Sequence, residues 1–277
     1  MEPIALLTTL DKNYLPQLQV LLTSIYLNNR GETFSLYLLH KDIPRENLEQ
    51  VRTHCNRYGY TFIPVTVEDV LFKEAPVTKQ YPKEMYYRLL APHLLPETLN
   101  KVIYLDPDTL VINPLRPLWE TDLQGNLFAA AAHTGKAQLA DGVNQLRLGT
   151  QGQYYNSGVL LLDLKAGREK INPQTIFQYV KEHGRELLLP DQDVLNALYE
   201  SQILPLEDVI WNYDARNYRS YFLFSGGIYD LPWVMEHTVV IHFCGKDKPW
   251  KKGYSRRFGV LYQHYLQLTR RELLPEE

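Results

Sequence analysis

Apolar and polar positions alternate along the start of the chain with two different periods. Ile4 to Thr9 is an apolar run of strand length, and Phe34 to Leu39 and Tyr60 to Val67 are two more. Short runs rich in β-branched and aromatic residues read as buried strands. Between them the period lengthens. Leu18, Leu21, Leu22 and Ile25 recur at helical spacing after Pro16, which suits a first helical turn. Leu48, Val51, Cys55 and Tyr58 do the same after Pro44. The alternation predicts an α/β fold with a mostly parallel central sheet flanked by helices.

Further on, Met85 to Leu94 predicts a helix leading into an apolar strand at Val102 to Leu105. Leu127 to Ala132 and Gly158 to Leu164 predict strands, Asp191 onward a helix, and Val239 to Phe243 a last short strand. Residues 133–153 are polar, hold several glycines and show no period, which reads as a long loop.

The chain is organised around Lys101 to Ile112. Its apolar run ends in Asp106-Pro107-Asp108 before apolar residues resume. Pro107 has no backbone donor, so a central strand must end near Asp106. Strand ends of this kind line the ligand crevice of open α/β sheets. Two carboxylates so close repel each other, and a hard divalent cation such as Mg²⁺ or Mn²⁺ is their natural partner.

Composition narrows the class. The 277 residues allow one large domain, and 45% hydrophobic with 22% charged residues is ordinary for a soluble globular protein. A net charge of −3 excludes a generally basic nucleic-acid binder. Cys55 and Cys244 form no CxxC pattern, which suits neither a zinc site nor a disulfide framework and fits a reducing compartment. The N-terminus has no basic segment ahead of its short apolar run, and no apolar run reaches membrane-spanning length, so a cytoplasmic protein is expected.

Charge is unevenly placed. From Lys246 to Arg271 there are eight Lys or Arg and one acid, Asp247, interleaved with Trp250, Tyr254, Phe258, Tyr262 and Tyr265. This predicts a main domain over residues 1–250 and a basic, aromatic helical tail over 251–277. Two readings fit the tail. It is a helix packed on the domain through Leu261, Tyr265 and Leu268, or it docks on an anionic membrane surface.

The chain has no GxGxxG after its first strand, no GxxxxGK[ST] and no GxSxG. Dinucleotide-binding, P-loop and α/β-hydrolase readings lose their main support. Four other features carry chemistry. In Thr8 to Tyr14, Asp11 and Asn13 can read a base edge and Tyr14 can stack on its face, or the stretch is an Asx turn capping the helix. Tyr155-Asn156-Ser157-Gly158 sets small polar residues before a strand, with a glycine that admits a ligand close to the backbone. Asp191-Gln192-Asp193 stands at a helix start, where one residue serves as cap and the others face a crevice. His242 precedes Gly245 and Lys248 in a loop able to hug a diphosphate, and a His with two Asp makes a Mn²⁺ set.

Taken together and in this order, these motifs resemble glycosyltransferase family 8 over about residues 4 to 252. The most specific pieces are Tyr104-Leu-Asp-Pro-Asp-Thr-Leu-Val111 and His242-Phe-Cys-Gly-Lys-Asp-Lys-Pro-Trp250. The resemblance implies a GT-A type fold and a metal-dependent, retaining transfer of glucose or galactose from UDP-glucose or UDP-galactose to a glycan or lipid-linked acceptor. It implies that Asp106, Asp108 and His242 hold Mn²⁺ (or Mg²⁺) on the donor diphosphate, with Pro107 beside them. Thr9, Leu10, Asp11, Asn13 and Tyr14 would form the uridine pocket. Arg88 would reach the donor sugar region, Asn156 and Ser157 would touch the sugar, and Gly245 and Lys248 would grip the diphosphate. Asp191 would bind sugar hydroxyls and Gln192 would lie on the β-face of the anomeric carbon. Many relatives carry Asn-Ala where this chain has Asn156-Ser157. Lys12 stands where some relatives have a second acid, and residues 133–153 match no family pattern. A phosphatase of the haloacid-dehalogenase type also uses Asp-x-Asp after a strand, but there the motif ends the first strand of the fold. A sugar-nucleotide binder without turnover and a transferase acting on protein-linked acceptors are the remaining alternatives.

Overall fold

In the computed structural model, residues 2–68, 72, 75–76, 84–132 and 144–273 are described. The first strands fall where the apolar runs placed them: β1 is Ile4–Thr9, β2 Phe34–His40 and β3 Thr61–Thr66. The helix Leu15–Asn28 buries Leu18, Leu21, Leu22 and Ile25, the stripe read from their spacing. The helix Arg45–Arg57 buries Val51 and Cys55 on its inner face. The strands that follow are β4 (Lys101–Leu105), β5 (Thr109–Val111), β6 (Phe128–Ala132), β7 (Tyr155–Asp163), β8 (Ile203–Leu206), β9 (Tyr213–Asp214) and β10 (Val240–His242).

Seven strands form the main sheet in the order β3-β2-β1-β4-β7-β6-β8. β1, β2, β3 and β4 run parallel, and so do β6 and β8. β7 is antiparallel to both β4 and β6, so all strands but β7 point the same way. Their carboxyl ends share one edge, and β7 begins there. This is the mostly parallel sheet that the alternation predicted, with one reversed strand at its centre.

Three local expectations need correction, and the strands β5 and β10 lie apart from the main sheet. The single helix expected over Met85 to Leu94 is two short helices, Glu84–Tyr87 and Ala91–Leu94, separated by a turn. Pro92 has no N–H for the carbonyl of Arg88, so the ladder breaks there. The strand expected from Gly158 begins at Tyr155, because Asn156 and Ser157 are part of β7 rather than a turn before it. The chain resumes after Asp108 as β5, which leaves the main sheet. The last strand, β10, also lies outside that sheet, in a three-stranded one ordered β5-β10-β9. Of residues 133–153, those from 133 to 143 lie outside the described residues and 144–148 are helical rather than loop.

Two apolar cores result. The larger fills the space between the main sheet and its helices. The smaller gathers Val20, Leu110, Ile112, Tyr213, Ile241 and Phe243 with Phe258, Tyr262 and Tyr265. The aromatic residues of the final helix, Gly259–Leu273, and its approach are therefore core residues. Asn28 Nδ2 donates to Tyr265 Oη at 2.8 Å, and Thr269 Oγ1 donates to Thr23 Oγ1 at 2.9 Å. Among the described residues, no helix is long and apolar enough to cross a membrane.

Candidate active site

The site grows from the end of β4. Tyr104 is buried in the sheet, and its hydroxyl donates to Asp106 Oδ1 at 2.6 Å. The amide of Asp106 donates to the carbonyl of Gly158 on β7 at 2.8 Å. Pro107 and Asp108 then turn the chain into β5. β10 pairs antiparallel with β5 so that His242 lies opposite Thr109, and Phe243 N donates to Asp108 O at 3.0 Å. That register sets the imidazole against the turn: His242 Nε2 is 3.2 Å from Asp108 Oδ1 and 3.9 Å from Asp106 Oδ2.

The three side chains offer one ligand atom each, all within 4.8 Å of one another. Two carboxylates and an imidazole are a donor set for Mn²⁺ or Mg²⁺. The surrounding backbone is shaped for the cluster. A Cβ on Gly158 would lie 2.3 Å from His242 Cε1 and 2.7 Å from Asp106 Oδ2, so only glycine leaves room there. The residues present fit a divalent cation.

Cations converge on Asp108. Burial by itself would raise its pKa, but His242 and Lys248, both bonded to it, outweigh burial and hold its carboxyl far below the usual range. Lys248 also donates to Phe243 O at 2.8 Å, which ties the Lys248 loop to β10. On the other flank Arg88, released into the turn between its two short helices, lies 3.1 Å from Asp106 Oδ1 and 3.0 Å from Asp191 Oδ2. Arg88 is buried yet stays charged, because these two carboxylates outweigh desolvation.

β7 and the helix Pro190–Tyr199 supply the rest. Ser157 Oγ accepts from Arg88 at 3.2 Å and donates to Asp191 at 3.2 Å. Asn156 Nδ2 donates to Gln192 Oε1 at 3.0 Å, and Ser157 N reaches the same oxygen at 3.4 Å. Asp193 has a structural place. Its side chain is fully buried, bonds Arg147 with both oxygens at 2.8 Å, and accepts from Tyr154 and from the amides of Leu188 and Leu189. The helix N-cap is Leu189 rather than one of the Asp-Gln-Asp trio; Asp193 reaches back to tie down the chain ahead of the helix, which leaves Asp191 and Gln192 facing the cleft.

Two clefts meet over the cluster. One, of about 520 Å³, is lined by Thr9, Leu10, Asp11, Tyr14 and Pro107. The other, of about 580 Å³, is lined by Asn156, Ser157, Gln192, His242 and Gly245, with Asn144 from the polar stretch and Tyr154 just after it. Both are bounded by Arg88, Asp106, Asp108 and Asp191. Of the residues expected to form the site, Asn13 and Lys248 line neither cleft: Lys248 bonds Asp108 instead, and the amide N–H and side chain of Asn13 both donate to Asp11, at 2.8 and 3.1 Å. The Asx turn and the cleft wall are thus one structure, with Asp11 serving both.

Tyr104, which opens the acidic motif, reads in the sequence as a core strand residue. Three residues of the site carried no signal in the sequence. Arg216, held by Asp214 at 2.7 Å, lines the second cleft with no motif around it. Glu84 lines the first cleft. Asn212, fully buried, accepts from His242 Nδ1 at 2.9 Å and donates to Asn156 Oδ1 at 2.9 Å. It lies between Trp211 and Tyr213, where only the pairing of β9 with β10 brings it to His242.

Known proteins are similar to this chain in sequence and in fold. The family model "Glycosyl transferase family 8" matches residues 5–253. General stress protein A of Bacillus subtilis (strain 168) is 26% identical over 268 residues, covering 94% of this chain and 92% of its own. Lipopolysaccharide 1,2-glucosyltransferase of Escherichia coli (strain K12) is 28% identical over 252 residues, covering 87% of this chain and 71% of its own. The galactosyltransferase LgtC, solved with donor and acceptor sugar analogs, superposes with a TM-score of 0.81 at 23% identity, over 99% of this chain and 98% of that one. The fold is therefore the GT-A-like α/β fold, with Asp106-Pro107-Asp108 at its strand end, and the chain belongs to glycosyltransferase family 8.

Proposed function

We propose that this chain transfers glucose or galactose from UDP-glucose or UDP-galactose to a glycan or lipid-linked acceptor, with retention of anomeric configuration. The observation that carries the reading is the meeting of two clefts over Asp106, Asp108 and His242, with Arg88 and Asp191 on the boundary. One cleft suits a nucleoside and the other a sugar with its acceptor. The names of two similar proteins, a lipopolysaccharide glucosyltransferase and a galactosyltransferase, support a hexose donor.

In this reading Thr9, Leu10, Asp11 and Tyr14 surround the uridine, with Asn13 bracing Asp11. Asp106, Asp108 and His242 would hold Mn²⁺, or Mg²⁺ in its place. When bound, the cation would neutralise charge on the departing diphosphate. Lys248 adds a further positive charge from the opposite side, and such electrostatic stabilisation is usually the largest catalytic term. Gly245 takes φ +87°, a conformation that lets backbone N–H groups approach phosphate oxygens closely.

Gln192 and Asp191 bear on the stereochemistry. The side-chain oxygen of Gln192 accepts from Asn156 and Ser157, so the atom with nucleophilic character is already engaged. Asp191 is bonded to Arg88 and Ser157, which suits holding a sugar hydroxyl more than attacking carbon. Same-face attack fits both. The bond from the anomeric carbon to the diphosphate oxygen breaks, the bond to the acceptor oxygen forms, and the acceptor proton passes to the departing phosphate oxygen. For a lipid-linked acceptor the reading includes peripheral contact with the cytoplasmic face of a membrane.

The test is UDP release from UDP-glucose and UDP-galactose, with Mn²⁺ and with a chelator. Release is expected with one donor and Mn²⁺, and Asp108→Asn is expected to abolish it while the far-UV spectrum stays unchanged. Turnover of neither donor would sink the donor assignment, and full activity in Asp108→Asn would remove the acidic pair from the mechanism.

A further inference from the structure

Two guanidinium groups line the second cleft, and they are placed differently. Arg88 is engaged inside the site, on Asp106, Asp191 and Ser157. Arg216 stands beside Gly245. Arg88, Asp106, Asp108 and Asp191 border both clefts, whereas Arg216 lines the second alone. It therefore belongs to the half of the site that a nucleoside does not use.

Local chemistry fixes how Arg216 is presented. Asp214 ends β9 opposite His242, and Ala215 N donates to His242 O at 2.9 Å, so the backbone here is registered on the metal cluster. The Asp214 side chain is 1% exposed and that of Arg216 is 39% exposed, so the carboxylate lies behind and the guanidinium in front. Asp214 Oδ1 accepts from the Arg216 amide and from Nε, both at 2.9 Å, and Oδ2 accepts from Nη2 at 2.7 Å. The carboxylate thus takes the Nε–Nη2 edge. The Nη1 edge lies toward the cleft, where a Cβ on Gly245 would be 2.7 Å from Nη1. A guanidinium is a planar fork whose second edge matches a carboxylate or a phosphate with parallel N–H donors. Neutralising Asp214 needs only the first edge. Because Asp214 already holds the side chain, little freedom is lost when the second edge is used. The neighbours Asn144, Tyr154, Asn156, Ser157 and Gln192 are uncharged and suit hydroxyl groups.

We propose that Arg216 determines acceptor specificity by binding an anionic group, a phosphate or a carboxylate, on the acceptor. The substrate class of the second cleft is then a phosphorylated or acidic glycan rather than a neutral one. The inference rests on the transferase reading for there being an acceptor. The donor diphosphate is the other anion at hand. Its place is the boundary of the two clefts, at Asp106, Asp108 and Arg88, and Arg216 is not on that boundary. Gly245 stands between the two anions. Arg216 Nη1 lies on the side of Gly245 where a side chain would be, which leaves the amide of Gly245 for the diphosphate.

The test titrates glucose, glucose 6-phosphate and glucuronic acid, and the matching galactose set, into the full chain saturated with UDP and Mn²⁺, so that the diphosphate place is filled. At least one charged sugar is expected to bind about tenfold or more tighter than its uncharged parent, and the preference should fall with salt. Preference for the phosphate ester marks a phosphorylated acceptor, and preference for the uronic acid marks an acidic sugar. Arg216→Gln should remove the preference. Arg216→Lys, which keeps the charge without the fork, should retain only part of it. The melting temperature of each variant separates this from the loss of a brace on Asp214. Equal binding of charged and uncharged sugars by the wild-type chain, or an undiminished preference in Arg216→Gln, would overturn the proposal. So would a loss of UDP affinity in Arg216→Gln as large as its loss for the charged sugar, which would move Arg216 to the diphosphate. The titrations are repeated without UDP. A wild-type chain that binds no UDP yet keeps an Arg216-dependent preference would sink the donor assignment and leave the acceptor assignment standing.

Discussion

Asn212 Oδ1 accepts a hydrogen bond from His242 Nδ1 at 2.9 Å, and this bond decides what the other ring nitrogen can do. With Nδ1 committed to Asn212, Nε2 is the nitrogen that faces Asp106 and Asp108: it donates to Asp108 here and would be the ligand atom for a bound cation. Asn212 also donates to Asn156, and Asn156 donates to Gln192. A continuous chain of side chains thus links the Asp106, Asp108 and His242 cluster to Gln192 on the wall of the second cleft. Asn212→Ala is expected to weaken Mn²⁺ binding by about 10–100-fold. Titration calorimetry or manganese resonance, with the melting temperature as control for folding, would show it. Unaltered Mn²⁺ affinity would mean that Asn212 does not position His242.

Gly158 offers a steric test of the same cluster. Its missing side chain is where His242 and Asp106 come closest to β7. Gly158→Ala should displace one of them and abolish Mn²⁺ binding. Overpacking of a filled site costs about 1–3 kcal/mol, so denaturant melts should show a folded but weakened protein. Intact Mn²⁺ binding in this variant would contradict the placement.

Asp193 is expected to matter for stability more than for chemistry. Burial raises its pKa, but hydrogen bonds from Arg147, Tyr154 and two backbone amides outweigh burial and hold it below the ordinary aspartate value of 3.8. A depressed carboxylate contributes stability that is present above its unfolded pKa and is lost as pH falls through its folded one. Asp193→Ala, which strands Arg147, should cost about 3 kcal/mol near neutrality. The loss should shrink below about pH 3.8 in urea melts. A constant difference across that range would exclude the ion pair as the cause.

His54 governs a higher pH range. It is 1% exposed, its Nε2 is 3.4 Å from Thr23 Oγ1, and burial pushes its pKa down from 6.5 to about 4. The unfolded chain binds the extra proton between those values, so stability should fall as pH drops from 6.5 toward 4. The loss is on the order of 3 kcal/mol from this group alone. In His54→Gln this part of the acid dependence should disappear, and its persistence would assign the loss to other groups.

Much of the site was legible because local chemistry constrains it. A proline between two aspartates after an apolar run must end a strand, and Asp106 and Asp108 sit at that end. The stripe Leu18, Leu21, Leu22 and Ile25 has one helical solution, and all four are buried. Asp191-Gln192-Asp193 lies in the first turn of a helix as its acids suggest, although which of the three is buried and which face the cleft could be told apart only in three dimensions.

What the chain by itself determined is the set of chemical groups and the short elements that carry them, since both depend on neighbours in sequence. What only the tertiary structure decided is which distant groups meet. β10 could have extended the main sheet as far as its composition shows. Its antiparallel pairing with β5 instead puts His242 opposite Thr109, beside Asp108. The parallel pairing of β9 with β10 brings Asn212 to His242, and the reversal of β7 brings Asn156 and Ser157 to the same edge. Composition was equally silent about the tail, because an aromatic residue at helical spacing suits a core as well as an interface. Strand pairing across long separations is set by the packing of the whole molecule, and no local pattern carries it.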